Sequence, residues 1–120
     1  MRKTSRLIAG GLFAAWVFSH AGNSSAQSAP SAEEQFAKLV KPFLEKHCYE
    51  CHNSGFREGD LDLESYKTAA SVVEGRKRWE DVIRKLQAGQ MPPKSQPRPD
   101  AAEVKAVVAW AEDLLAKAAR

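Results

Sequence analysis

Apolar positions in this chain cluster into stretches with the period of a helix, separated by stretches with no period at all. Phe36, Leu39, Val40, Phe43 and Leu44 stand at i, i+3, i+4, i+7 and i+8, the buried face of an amphipathic helix. Ser31 followed by Glu34 has capping-box spacing just upstream and marks its start. Pro42 lies within the same stretch and cannot donate to the helix ladder, so a kink or break is expected just before the cysteines. Trp79, Val82, Ile83 and Leu86 predict a helix over Arg76 to Ala88, with Gly89 placed to end it. Asp100 and Glu103 read as an N-cap pair for a last helix, whose stripe is Val104, Val107, Val108, Ala111, Leu114 and Leu115.

The intervening segments read differently. Asn53 to Asp60 (NSGFREGD) carries two glycines and is expected as a loop. Leu61 and Leu63 point one way along a short extended piece, and Glu64 to Val73 is expected as a short helix. Residues 91–99 (MPPKSQPRP) hold four prolines in nine positions, which exclude helix and strand and stiffen the loop. With no persuasive strand and no repeat, the predicted fold class is all-α.

The N-terminus follows another logic. Arg2, Lys3 and Arg6 precede an apolar run of 12 residues, Leu7 to Phe18, and Ser24, Ser25 and Ala26 end in the small residues signal peptidase accepts. Residues 1–26 are therefore expected as a cleaved secretory signal. The run falls short of the ~20 residues of a spanning helix, so no membrane insertion of the mature chain is expected; an uncleaved anchor would be a short one. No cysteine stands at the cleavage point for a lipoprotein anchor. Residues 27–34 follow as a flexible tail, and 35–118 as the single domain. Removing the signal takes three of the 18 basic side chains and none of the 15 acidic ones, leaving 18 − 3 = 15 against 15. A neutral mature chain gives no support to nucleic-acid binding. Its 94 residues, 120 − 26, bury a modest core, which a central cofactor would reinforce.

The candidate chemistry lies in residues 47–52, HCYECH. Structural zinc wants four ligands in a tetrahedron, and six consecutive residues cannot readily wrap one ion, although a site shared between two chains stays open. A thioredoxin-like pair belongs at a helix N-terminus after a strand, whereas a proline-interrupted helix precedes this one. A small-loop disulfide suits an exported protein but stabilises little. The haem reading gives Cys48, Cys51 and His52 each a role: two thiols two residues apart can add to the two vinyl groups, and the next imidazole reaches the iron. His47 adjoins Cys48 on the same side of the ring and is expected to pack, partly exposed, at the helix end. Met1 leaves with the signal. That leaves Met91, 39 positions after His52 on the proline loop, as the only remaining thioether; its bland alternative is gap filling.

Taken together, FLEKHCYECHN, GDLDLE, WEDVIRKLQAGQMPP and RPDAAEVKAVVAWAEDLL resemble a class I c-type cytochrome, and within that class the haem domain of large exported planctomycete proteins. The resemblance spans roughly Phe36 to Leu115. It implies a small cytochrome c-like helical domain wrapped around one haem c, bound covalently at Cys48 and Cys51, with His52 as proximal and Met91 as distal iron ligand. Two departures stand out. The chain carries one domain where relatives continue into long further regions, and no proline follows the C-x-x-C-H until Pro92, so the usual carbonyl acceptor for the second His52 nitrogen has no counterpart. The expected function is that of a periplasmic, monomeric electron carrier between redox partner proteins rather than an enzyme. The alternatives are a haem subunit of a larger dehydrogenase and an open-site haem protein, either gas sensor or peroxidase-like. Trp79 and Trp110 are expected in the core, Asp60 and Asp62 as solvated loop and cap residues. Arg76, Arg84 and Lys85 are candidate propionate partners, none assigned.

Overall fold

Ser31 Oγ accepts the Glu34 N–H at 3.2 Å, and the Glu34 carboxylate accepts the Ser31 N–H at 2.8 Å, so the capping box forms as its spacing predicts. In the computed structural model, which describes residues 9–19, 21–22 and 25–120, this box opens α1 (Ala32–Gln35). Residues 32–34, within the stretch expected as a flexible tail, are thus helical. Arg2, Lys3, Arg6, Leu7, Ile8 and Ser24 of the expected signal lie outside the described residues. Leu12, Phe13, Trp16, Val17 and Phe18 of the apolar run are exposed. Among the described residues no helix is long and apolar enough to cross a membrane.

Pro42 does not break the helix it interrupts. α1 continues through a π-helical turn, Phe36–Val40, directly into α2 (Lys41–His47), and the Lys41 N–H donates to Phe36 O, five residues back. The wide turn takes up one extra residue just ahead of the proline, whose ring would collide with a carbonyl in a regular α-helical ladder. The expected kink is thereby absorbed, and Phe36, Val40, Phe43 and Leu44 all remain buried. Burial of side chains of this kind contributes roughly 1.5–3 kcal/mol each.

The expected helix at Glu64 to Val73 starts later, as α3 (Ala69–Glu74). Ser65 is held in a turn, its N–H donating to Asp62 Oδ1 at 3.3 Å and its hydroxyl to Asp62 O at 2.9 Å, and Thr68 and Ser71 cap the helix reciprocally. α4 (Arg76–Gln87) follows its predicted bounds and ends at Gly89, whose φ of 68° is the left-handed value that favours glycine. α5 (Ala101–Ala118) buries Val107, Val108, Ala111 and Leu115 as read, with Val104 and Leu114 half-buried. The N-cap pair does not form: Asp100 makes no side-chain cap bond, and the Glu103 carboxylate faces His47 on α2 instead, 3.8 Å from Nε2. Among the described residues only an isolated bridge, His52 to Arg57, departs from an all-α architecture.

α4 packs on α5, α3 on α4 and α5, and α1 touches α3 and α5. Trp79 and Trp110 are core residues as expected, edge-on at 6.3 Å, with Phe36 against Trp110 at 5.8 Å. Two polar ties fix the N-terminal helix. The Glu33 carboxylate accepts the N–H groups of Ala69 and Ala70 at 3.0 and 3.1 Å, serving the first turn of α3 from another element. Trp110 Nε1 donates to Ala32 O at 3.3 Å.

Candidate functional site

α2 ends by turning the chain over on itself. Cys48 is its C-cap, and the N–H groups of Cys48 and Tyr49 both donate to Leu44 O at 2.9 Å. The N–H groups of Cys51 and His52 then return to Cys48 O at 3.3 and 3.0 Å. Asn53, which sequence reasoning passed over as a loop residue, organises this turn. Its amide donates to Tyr49 O at 2.7 Å and Glu50 O at 3.3 Å, while its side-chain oxygen accepts from the N–H groups of Gly55 and Phe56 at 2.9 and 2.6 Å. Asp62, expected to be solvated, is largely enclosed and accepts the Ser54 hydroxyl at 2.9 Å. The Leu63 N–H donates to His52 O at 2.8 Å, which ties the end of the turn to the buried Leu63.

The turn forms one wall of a partly enclosed cavity of about 390 Å³, within the ~300–1,000 Å³ usual for small-molecule and cofactor sites. Cys48, Cys51 and His52 line it together, α4 contributes Val82 and Leu86, and Met91 lines it from the proline loop with Pro92 and Pro93. All four residues singled out by sequence thus share one cavity. His47 lines it as well, but its side chain is only 8% exposed, more enclosed than expected, and its ring packs at a tilt against Phe43, centroids 4.9 Å apart. The proline loop is strapped by a residue that sequence reasoning missed: the Arg98 guanidinium donates to the carbonyls of Pro92, Pro93 (3.0 Å) and Gly89 (3.4 Å).

The electrostatics of the turn discriminate between chemistries. Burial pushes the Cys48 thiol up to about 12, and the two thiols are unbridged. Thiol exchange works through thiolate and favours sites that lower a cysteine's pKa, which the enclosure of Cys48 does not do. Among the described residues no group of three or more His, Cys, Asp or Glu is placed to hold a metal ion. His52 Nδ1 is buried, and among the described residues it has no hydrogen-bond partner, so no carbonyl there takes the place of the proline's.

Of the cations considered for an anionic cofactor edge, Arg76 is committed elsewhere, donating to Leu115 O and lying 3.4 Å from Glu80. Arg84 pairs with Asp81. Lys85 lines the cavity, joined by Lys46 and Arg78. Arg78 lies 3.6 Å from Asp60, an exposed residue held at a left-handed φ of 59° next to Gly59. Arg78, Val82 and Lys85 are spaced i, i+4, i+7 on α4, so the signal for Arg78 was its place on the stripe of Val82.

Residues 48–95 match the model of a family described as Planctomycete cytochrome C. The matched segment holds Cys48, Cys51, His52 and Met91 and bears out the resemblance drawn from the sequence. No curated protein matches the chain, and no solved structure does.

Proposed function

We propose, starting from that family match, that this chain is an exported mono-haem c-type cytochrome which passes single electrons between partner proteins. The observation that carries the reading is the shared cavity: two thiols, an imidazole and the one available thioether converge on a space with apolar walls. The residues fit haem c. Each of the Cys48 and Cys51 S–H groups would add across one vinyl C=C, with no atom lost. His52 would bind iron through Nε2, since Nδ1 is the enclosed nitrogen, and Met91 would face it from the proline loop. Bound haem supplies a one-electron ferric/ferrous couple.

The chain's part is to bind, orient and tune. Leu61, Leu63, Val82 and Leu86 line the site and would keep water from the ring. A soft thioether favours ferrous iron, so Met91 would raise the potential above that of a bis-imidazole site. Lys46, Arg78 and Lys85 all line the cavity and would be the cations available to propionates. Residues 1–26 act as the cleaved signal that delivers the chain to the periplasm, where haem attachment takes place, and 35–118 form the haem domain. The competing reading is an open-site haem protein with Met91 as packing.

Acid–acetone extraction with intact-mass and absorption measurements tests the proposal. Haem should stay with the polypeptide, adding one haem mass, and the ferric protein should show a sulfur-to-iron charge-transfer band at the red edge of the visible spectrum. Free haem in the extract and a bare-polypeptide mass would overturn it. Retained haem with no such band would favour the open-site reading.

A further inference from the structure

The loop that carries Met91 has an unusual supply of acceptors and few donors. Pro92, Pro93, Pro97 and Pro99 contribute carbonyls but no N–H, so the segment cannot build a ladder of its own. Its backbone ties are sparse: the Met91 N–H reaches Lys85 O at a long 3.4 Å, and the Gln96 N–H reaches Pro93 O at 2.9 Å. Prolines fix the loop's internal shape, yet a stiff loop can still swing as a unit about its ends. One end is Gly89, at a left-handed φ of 68°. Something must set the angle at which Met91 meets the cavity.

Arg98 supplies that constraint. Its guanidinium bonds Gly89 O, before Met91, and Pro92 O and Pro93 O, after it. The planar fork presents several donors in fixed directions, and here it bridges the pivot of the loop to its far side. No carboxylate lies within ion-pair distance of Arg98 among the described residues, so these carbonyls are its partners.

We infer that Arg98 is the positioning residue for the distal ligand, holding the Met91 thioether over the haem face and thereby keeping small exogenous ligands off the iron. The inference rests on the His52/Met91 reading above. It makes one arginine, remote in sequence from the C-x-x-C-H, the residue that separates an electron carrier from a ligand-binding haem protein. The apparent affinity of an exogenous ligand scales with the fraction of molecules in which Met91 is off the iron. Loosening the loop raises that fraction without removing the sulfur.

The test uses the full holoprotein with Arg98→Ala, Arg98→Gln and Arg98→Lys, alone and combined with Met91→Ala. Three quantities are read: the ferric sulfur-to-iron band, imidazole affinity, and thermal stability with helix content. Arg98→Ala should weaken the band and bind imidazole about tenfold tighter or more, while Arg98→Lys, which keeps the charge but not the fork, should fall between. In the Met91→Ala background the Arg98 substitution should add nothing to imidazole affinity, because there is no sulfur left to displace. A purely structural arginine would lower stability and leave the band and the affinity alone, and that result overturns the inference. An equal gain in affinity with and without Met91 also overturns it. Should Arg98→Ala not fold, Arg98→Lys and Arg98→Gln decide by the same criteria. A wild-type protein lacking the band removes the ligation reading and this inference with it, whereas a wild-type band that survives in every Arg98 variant removes this inference alone.

Discussion

Without haem the domain should not hold its native packing, and the cavity shows why. On the proposed reading, expression of a chain lacking residues 1–26 would keep it away from the compartment where haem is attached and yield the bare polypeptide. Its cavity of about 390 Å³ would have to stand empty or collapse. At roughly 24 cal/mol per Å³ of unfilled apolar cavity, the cost comes to about 9 kcal/mol, an upper figure because the space is only partly enclosed. A domain of 84 residues, 35–118, has a total stability of roughly 4–13 kcal/mol at 0.05–0.15 kcal/mol per residue. That upper figure is of the same size as the whole stability, so even half of it would leave the native packing marginal. The expected product keeps some helix by far-ultraviolet circular dichroism, loses near-ultraviolet signal from Trp79 and Trp110, binds ANS and melts without a cooperative transition. A haem-free chain with a sharp melt and native near-ultraviolet spectrum would refute this reasoning and favour the disulfide reading of Cys48 and Cys51.

Other substitutions test separate parts of the structure. Met91→Ala should open a coordination position, lower the midpoint potential in a redox titration and admit carbon monoxide to the ferrous protein, and Met91→His should lower the potential too, since imidazole favours ferric iron. An unchanged potential would make Met91 a packing residue. Gly75→Ala places a Cβ 2.4 Å from Cε1 of Tyr66, a ring packed edge-on against Trp79 at 5.8 Å. Overpacking of ~1–3 kcal/mol, offset by ~0.4–1 from the stiffer unfolded chain, predicts a lower Tm by thermal melt. Glu33→Gln removes the charge and one of two acceptors at the start of α3; a loss of about 1–2 kcal/mol in denaturant titration is expected, with unchanged haem spectra.

What could be read in advance was what depends on local spacing. Ser31 and Glu34 meet because three residues along a helix start bring them together, and the stripes of α4 and α5 follow from their period. The cavity residues were legible for a different reason: Cys48, Cys51 and His52 stand in one short motif, and elimination among the few side chains able to serve an iron left Met91 before its position was known. The misreadings share one cause. Asp100 and Glu103 have the right residue types for a cap, but Glu103 turns to His47, 56 positions away in sequence. Pro42 looked like a break, and the extra residue of the π-helical turn absorbs it for the sake of the buried face. Arg98 was invisible because its partners are backbone carbonyls, which no residue letter announces. The enclosure of Asp62 likewise depends on Ser54 and Ser65 folding around it.

The tie between Trp110 and Ala32 spans 78 positions of sequence, and its consequence is one of timing. Long-range closure must await the arrival of both partners, so a chain delivered N-terminus first cannot complete its core until α5 has followed. On the proposed reading, Cys48 and Cys51 cross early and wait in an open polypeptide while the 49 further residues 52–100 are still to come before α5 begins. Even the arrival of α5 does not close them off on this reading, because the haem-free chain lacks stable native packing. The two ends of the domain are then held together only once haem fills the cavity between them and the proline loop, so cofactor loading, not the last helix, is the step that locks the fold.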